Sequence, residues 1–406
     1  MALSMFWVVI LLFTSFLTSG NDVMAQHLPV APAWRTDVHA AIGGAPLGSV
    51  WGGRQEYKGR PITSLWFTDN NTIVASFVTR DSSARPQVSR RDNLDSALAL
   101  RLRAIFLDTN TGRVTAATNW PTESRRSLIV AAHDGRIVAQ RGNELTLYDS
   151  DRNPLRTAKL PSPQGGNWYS HSSPTGKNIL FYSRESEKSP LIWVESDTLK
   201  ILGSWEDASS GFISISDKEV ATATCLLGRR LAIRNGVTTP PPSAQDDCEP
   251  TIMVREISTD WRSIAPSEPK SYLQFVNENT LFVSGITKRR LVRTDGQVLF
   301  AESNEHRLGW GFGCWGTRVL VSSAGQRFVI PGCEAKGAVA SLDIGGHSVL
   351  KRIILYDMRS EVRSCTLDIK GPKIQDEMQF AVSPDGSKLA ILNKGFVEVF
   401  QLPPAE

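Results

Sequence analysis

The chain has 406 residues, 41% of them hydrophobic and 21% charged, with 31 Gly, 22 Pro and a formal net charge of +4. That hydrophobic share excludes a disordered chain, and so mild a charge excess excludes a dedicated nucleic-acid binder. Abundant Gly and Pro without a sustained helical period predict an all-β chain of short strands joined by turns.

Residues 1–25 stand apart. An apolar run from Met5 to Leu17 is followed by polar Ser19-Gly20-Asn21-Asp22 and then by Val23-Met24-Ala25, whose small residues suit a signal peptidase. The run falls short of the roughly 20 apolar residues that span a bilayer, so cleavage after Ala25 is expected, with no integral membrane segment left in the mature chain. The mature net charge is then +5, Asp22 being lost. Secretion or delivery to the periplasm follows as the expected location. Residues 26–60 are rich in Pro, Ala and Gly and read as an extended lead-in, within which Leu47 to Trp51 is the one short apolar piece.

From Ile62 onward seven hairpins follow one another. They are Leu65–Phe77 around Asn70-Asn71, Leu128–Ala139 around Asp134-Gly135, Tyr169–Tyr182 around Pro174 and Gly176, and Phe212–Thr222 around Asp217. Leu273–Val283 around Asn277 to Asn279, Gly309–Val321 around Gly316 and Phe380–Leu392 around Pro384-Asp385-Gly386 complete the set. In the last, Pro384 presets φ for a turn and Gly386 supplies a positive φ at no steric cost. Each hairpin leads to a strand with a shared ending, such as Phe106-Leu107-Asp108, Leu147-Tyr148-Asp149 or Leu355-Tyr356-Asp357. A short turn and one more strand follow most of them.

The run FAVSPDGSKLAILN, followed by VEVFQLP, resembles the repeats of secreted bacterial β-propellers of the WD40-like and YVTN type. The resemblance implies blades around an axis and little about activity. Seven strand-turn-strand-loop-strand-turn-strand units read as a seven-bladed propeller of four-stranded antiparallel blades over residues 61–406, with six or eight blades and an open sandwich pair as alternatives. The final unit shows three strands, so closing the ring requires a strand from the N-terminal segment, and Leu47–Trp51 is the candidate.

Three long inserts separate second and third strands: Arg80–Arg103, Cys225–Pro250 and Phe328–Val349. By strand alternation all three emerge on one face of the disc, a common place for binding. The first insert carries Arg90 and Arg91 among six arginines, and the second carries Arg229 and Arg230; these read as candidate contacts for carboxylate or phosphate groups of a partner. Trp310 and Phe312, alternating with glycines in Gly309–Gly313, are candidates for a channel lining. Tyr169, His171 and Phe380 are further candidates to point inward. In an exported chain the cysteines invite disulfides, the simplest scheme pairing Cys225 with Cys248 and Cys314 with Cys333 and leaving Cys365 buried in a strand. Reduced core thiols are the alternative.

Local catalytic signatures are absent. The six histidines form no His-x-His or His-Glu-x-x-His, so no metal site is expected. Asp149-Ser150-Asp151-Arg152-Asn153 imitates half a calcium loop, but Pro154 occupies the position that needs Gly, and a polar turn explains the residues. No Gly-x-Ser-x-Gly elbow and no phosphate-cradling glycine loop occur. The expectation is a non-enzymatic binding or scaffold module without a cofactor, taking a protein or carbohydrate on its insert-bearing face. The alternative is a propeller enzyme, lactonase-like or quinone-dependent, whose residues converge on the central channel from several blades.

Overall fold

A computed structural model of the chain describes residues 26–38, 63–80, 100–122, 127–162, 168–183, 189–207, 213–224, 251–268, 271–285, 288–303, 319–322, 327–335, 348–358, 362–369, 379–393 and 395–404. Strands β1 (Gln26–Val30) and β2 (Trp34–Asp37) come first. Blade 1 is β3 (Thr63–Phe67), β4 (Thr72–Arg80), β5 (Leu100–Asp108) and β6 (Val114–Thr122). Blade 2 is β7 (Leu128–Ala131), β8 (Ile137–Arg141), β9 (Glu144–Tyr148) and β10 (Pro154–Lys159). Blade 3 is β11 (Trp168–Ser172), β12 (Asn178–Ser183), β13 (Ser189–Glu195) and β14 (Ile201–Asp207). Blade 4 is β15 (Ile213–Ile215), β16 (Glu219–Thr224), β17 (Thr251–Glu256) and β18 (Arg262–Pro266). Blade 5 is β19 (Tyr272–Phe275), β20 (Thr280–Ser284), β21 (Lys288–Arg293) and β22 (Val298–Ser303). Blade 6 is β23 (Leu320–Val321), β24 (Arg327–Ala335), β25 (Ser348–Asp357) and β26 (Val362–Ile369). Blade 7 combines β27 (Gln379–Val382), β28 (Lys388–Asn393) and β29 (Phe396–Gln401) with β2.

Within each blade the four strands are antiparallel neighbours, and the first strands of adjacent blades touch, as β27 does β3, β3 does β7 and β11 does β15. The seven-bladed propeller expected from the repeats is therefore the fold. Its cohesion follows from the period of two. Along β4, Ile73, Ala75 and Phe77 pack against blade 7, while Val74 packs against blade 2. Along β12, Ile179 and Phe181 face blade 2, and Leu180 and Tyr182 face blade 4. Each buried blade thus has two apolar faces, and the described residues form seven hydrophobic clusters, one at every blade junction. Fully burying one Leu, Ile or Phe is worth about 1.5–3 kcal/mol, and an isolated blade would forgo that gain on both faces.

Ring closure differs from the expected one. Leu47–Trp51 lies outside the described residues, and the fourth strand of blade 7 is β2, which pairs with β29 from Trp34 opposite Val399 to Asp37 opposite Phe396. Trp34 Nε1 donates to the Thr109 carbonyl at 2.8 Å, and Thr36 Oγ1 donates to the Gly112 carbonyl at 2.7 Å, so the closing strand also grips blade 1. Upstream, β1 runs parallel to β26 as a fifth strand of blade 6, Gln26 opposite Cys365. Residues 26–38 therefore strap blade 6 to blade 7 and blade 7 to blade 1.

The sixth hairpin is also displaced. Val321, placed in its second strand by sequence, belongs to the first strand, β23, whose partner is β24. β24 runs to Ala335 and β25 starts at Ser348, so the third insert is 336–347 and not Phe328–Val349. Pro331-Gly332 in the middle of β24 reads as a break; the strand absorbs it with a register shift between Gly332 and Cys333.

Candidate functional site at the axial mouth

Three of the turns that join first to second strands share one construction, whereas those after β7 and β19 open with Ala132 and Val276 and keep only the backbone bond. In blade 7 the Ser383 N–H donates to the Lys388 carbonyl at 2.9 Å, and Ser383 Oγ accepts from the Lys388 N–H at 2.9 Å. Ser173 with Asn178 and Ser216 with Glu219 repeat both bonds, at 2.8 and 3.1 Å and at 2.8 and 2.9 Å. In these three turns the serine hydroxyl satisfies an amide that the turn would otherwise leave buried. The residues that follow are turn formers, and several carry carboxylates: Asp69, Asp134, Asp217 and Asp385. Because the first strands line the axis, these carboxylates are gathered around one end of it.

The turns also tie neighbouring blades together. Thr175 Oγ1 donates to the Asp217 carboxylate at 2.7 Å, and the Asp385 N–H donates to Asn70 Oδ1 at 3.0 Å. Lys388 Nζ crosses from blade 7 to blade 1, donating to Thr109 Oγ1 at 2.8 Å and Asn110 Oδ1 at 2.9 Å. Burial pushes the Asp385 carboxyl up, but hydrogen bonds from Ser383 Oγ and from the Ser387 N–H and hydroxyl, with the Lys388 charge, outweigh it and hold its pKa below the usual carboxylate value.

Inside this ring of turns lies a cavity of about 450 Å³, lined from blades 1, 2, 3, 5, 6 and 7. That is within the range of ligand pockets, roughly 300–1,000 Å³. Its apolar lining includes Phe67, Leu320, Phe380 and Val382. Its rim is polar and includes Asp69, Asp134, His133, Thr175 and the exposed Ser150. Asp69 Oδ1 accepts from the Asn71 N–H at 2.6 Å, and Asp134 Oδ2 lies 2.9 Å from His133 Nδ1. Asp134 holds φ at 55°, a left-handed conformation that Asp tolerates better than most residues, and it keeps a side-chain exposure of 68%. His171 Nε2 lies 3.1 Å from Tyr182 OH. Two polar atoms of lining residues, Trp66 Nε1 and Ser172 Oγ, are buried without a hydrogen-bond partner. Among the described residues, no lysine or arginine lines the cavity and no three His, Cys, Asp or Glu side chains are grouped as a metal site.

The expected inward residues divide. His171 and Phe380 line the cavity, whereas Tyr169 stacks on Tyr182 at 5.5 Å between blades 3 and 4. Most described tryptophans fill blade junctions, as Trp193 and Trp205 do at 6.0 Å from one another. Asp149 accepts from the Asn153 N–H at 2.8 Å and caps a polar turn between β9 and β10, as expected of that segment. Cys365 is buried in β26, and Cys333 lies in β24. Arg90, Arg91, Arg229, Arg230, Trp310, Phe312, Cys225, Cys248 and Cys314 lie outside the described residues, as does the signal segment 1–25.

Sequence reasoning put the main binding site on the inserts and the central channel second; it read Asp134 and Asp217 as turn formers and did not single out Asp69. The inserts occupy the connections between second and third strands, so they leave the disc at the face opposite these turns.

No family model and no curated protein matches the chain. Solved structures resemble it at the level of fold. The WD40 domain of Toxoplasma gondii coronin is 8% identical, with 84% of this chain and 82% of that one covered at a TM-score of 0.49. Kluyveromyces lactis Hsv2 is 9% identical over 85% of this chain and 95% of that one, with a TM-score of 0.47. BamB from Moraxella catarrhalis is 10% identical over 86% and 88%, with a TM-score of 0.39. Likeness at this level carries no functional argument, and the blade count rests on the strand pairing itself.

Proposed function

We propose that this chain is an exported, non-enzymatic propeller that binds a protein partner, and that the partner seats over the axial cavity at the turn face. The observation that carries the reading is the composite cavity of about 450 Å³, walled by six blades, so that its occupant meets a surface no single blade supplies. Apolar side chains together with a few polar groups are the usual make-up of a binding pocket. Export is supported by the segment before Gln26, an apolar run followed by small residues.

Site-specific photo-cross-linking in the cells that make the protein tests the seat of the partner. A photoreactive residue is placed at exposed Ser150 on the cavity rim, at exposed Leu155 on the disc periphery, or at Arg90 in the first insert. The reading expects one discrete protein adduct from position 150 and none from 155. An adduct from position 90 alone would return the partner to the insert-bearing face, and equal adducts from all three positions would remove the site altogether.

A further inference from the structure

We infer that the outer edge of blade 1 is an interface for a second copy of this chain, β6 pairing antiparallel with β6 of the other protomer about a two-fold axis at Ala117. Two four-stranded blades are thereby joined into one continuous sheet. This goes beyond the binding reading and does not depend on it.

A strand at the edge of a sheet turns every second amide and carbonyl away from its own sheet, and soluble proteins guard such edges with charge, proline, bulges or brevity. The other blades are guarded in this way. β10 carries Arg156 and Lys159, β14 Glu206 and Asp207, β18 Arg262, β22 Glu302, and β2 Arg35 and Asp37, while blade 6 ends on β1, which contains Pro29. These outermost strands have four to seven residues. β6 has nine, with no charged residue and no glycine among them. Its side chains alternate: Thr115, Ala117, Asn119 and Pro121 are exposed, whereas Ala116 and Trp120 pack towards blade 2, Trp120 at 5.0 Å from the Tyr148 ring. β6 also keeps one register with β5 from Thr122 opposite Leu100 to Ala116 opposite Phe106, so the edge is formed before anything adds to it, which lowers the ordering cost of pairing.

The strand's own sequence selects the occupant. Pro121 has no N–H and is tolerated where that group would face away from β5, which by alternation turns the main-chain groups of Asn119 and Ala117 outward, with Thr115 beyond them at the register shift. A two-fold axis at Ala117 sets Ala117 against its copy and Thr115 against Asn119, and it leaves Pro121 outside the ladder. Facing residues of that kind exchange both their N–H···O bonds, about six in all. A two-fold pairing also doubles any charge on the edge, and like charges across strands oppose it; β6 brings none. Each molecule has a single edge of this make-up among its described strands, so assembly stops at two copies, and the axial mouth, away from the disc periphery, stays free. With small side chains and no aromatic anchor at the axis, the dimer is weak, dissociating on the order of tens of micromolar.

Sedimentation velocity of the mature chain from about 2 to about 200 µM reads the association directly. The mean mass is expected to rise from one protomer to two across that range. Ala117→Lys, at an exposed position where folding is not at stake, should weaken the dimer by at least tenfold, whereas Leu155→Lys on β10 should leave it unchanged. Cysteine cross-linking under mild oxidation reads the register. Ala117→Cys should give a reducible dimer, since facing Cα atoms in such a ladder lie about 5.5 Å apart, within disulfide range. Asn119→Cys alone should give none, its two copies being about four residues apart along the ladder, roughly 13 Å, but mixed with Thr115→Cys it should give a heterodimer. A chain that stays monomeric at the highest concentration, a dimer undisturbed by Ala117→Lys, or a Leu155→Cys dimer as strong as that from position 117 would overturn the inference. Cross-linking of Asn119→Cys to itself would overturn the axis at Ala117. A monomeric chain whose Ala117→Lys variant loses the adduct formed from position 150 would give the edge to a strand of the partner and overturn its assignment to a second copy.

Discussion

Closure of the ring turns on a contact that one methyl group is expected to destroy. Gly112, in the turn between β5 and β6, has φ of +68°, and a Cβ built on it would stand 2.5 Å from Trp34 Cε3 and 2.7 Å from Thr36 Oγ1, both on the closing strand. Trp34→Ala removes a half-buried indole and its bond to the Thr109 carbonyl. A fully buried Trp or Phe truncated to Ala costs about 3–5 kcal/mol, so half burial with one hydrogen bond gives about 3–4 kcal/mol. Gly112→Ala carries about 1–2 kcal/mol for the left-handed backbone, and it also displaces the indole and forfeits most of what Trp34 contributes, about 4–5 kcal/mol in all. In a Trp34→Ala background the same substitution has no indole to displace and should cost about 2–3 kcal/mol, for the left-handed backbone and the close Thr36 Oγ1 contact. The double-mutant cycle is therefore expected to show a coupling of about 2 kcal/mol, read from urea unfolding midpoints at constant m value. Additivity within about 0.5 kcal/mol would refute the claim that Trp34 laid over Gly112 holds the ring shut.

Four further outcomes follow from the same structure. Asp357→Asn should destabilise by about 3–5 kcal/mol in urea unfolding, because Arg327, 3% exposed and 3.7 Å from that carboxylate, would keep a buried charge without its counter-charge. Glu398 titrates above the usual carboxylate range, burial raising its pKa more than the Arg35 guanidinium at 3.2 Å lowers it. A raised acid favours the folded state below its unfolded pKa and loses that contribution as pH rises through the folded value, so Glu398→Gln should gain stability relative to the parent as pH rises from 4 to 7. Asp108 behaves oppositely: hydrogen bonds from the Thr111 hydroxyl and N–H and from the Asn110 N–H hold its pKa down, so its contribution is present above the unfolded pKa and lost on acidification, and Asp108→Asn should flatten the acid limb of a pH titration of the melting temperature. Intact-mass analysis of exported protein should give an N-terminus at Gln26, and non-reducing peptide mapping should give Cys225–Cys248 and Cys314–Cys333 bridges; a bridge from Cys225 to Cys314 or Cys333 would refute local pairing.

Most of the propeller is legible in the sequence, because a blade is built from signals that act over a few residues. Alternation in Phe380–Leu392 and the Pro384-Asp385-Gly386 turn locate a hairpin without knowledge of the neighbouring blade, and β27 and β28 are that hairpin. The sixth blade was misread for a reason of the same kind. Glycines alternating with aromatics in Gly309–Gly313, which lie outside the described residues, read as a period of two and drew the hairpin ahead of β23, whereas β24 hides Pro331-Gly332 inside a strand that tolerates them through a bulge. The closing strand was illegible because what identifies it is distant: Trp34-Arg35-Thr36-Asp37 is short and polar, and only pairing with β29 and the contacts with Thr109 and Gly112 make it a strand. β1, which carries Pro29, is likewise defined by its partner, Cys365 to Ile369. The axial mouth was hidden in plain view. Its acids are turn residues by local rule, and only the ring of first strands brings those turns together around one cavity.

Hydrogen exchange of the mature chain, alone and with the partner captured through position 150, tests the binding claim most directly. The account expects slowed exchange at the turns after β3, β7 and β11, around Asn71, Gly135 and Gly176, with the outer strands β10 and β14 unchanged. Protection confined to residues 81–99 and 225–250, with those three turns unaffected, would contradict it and move the binding site to the opposite face.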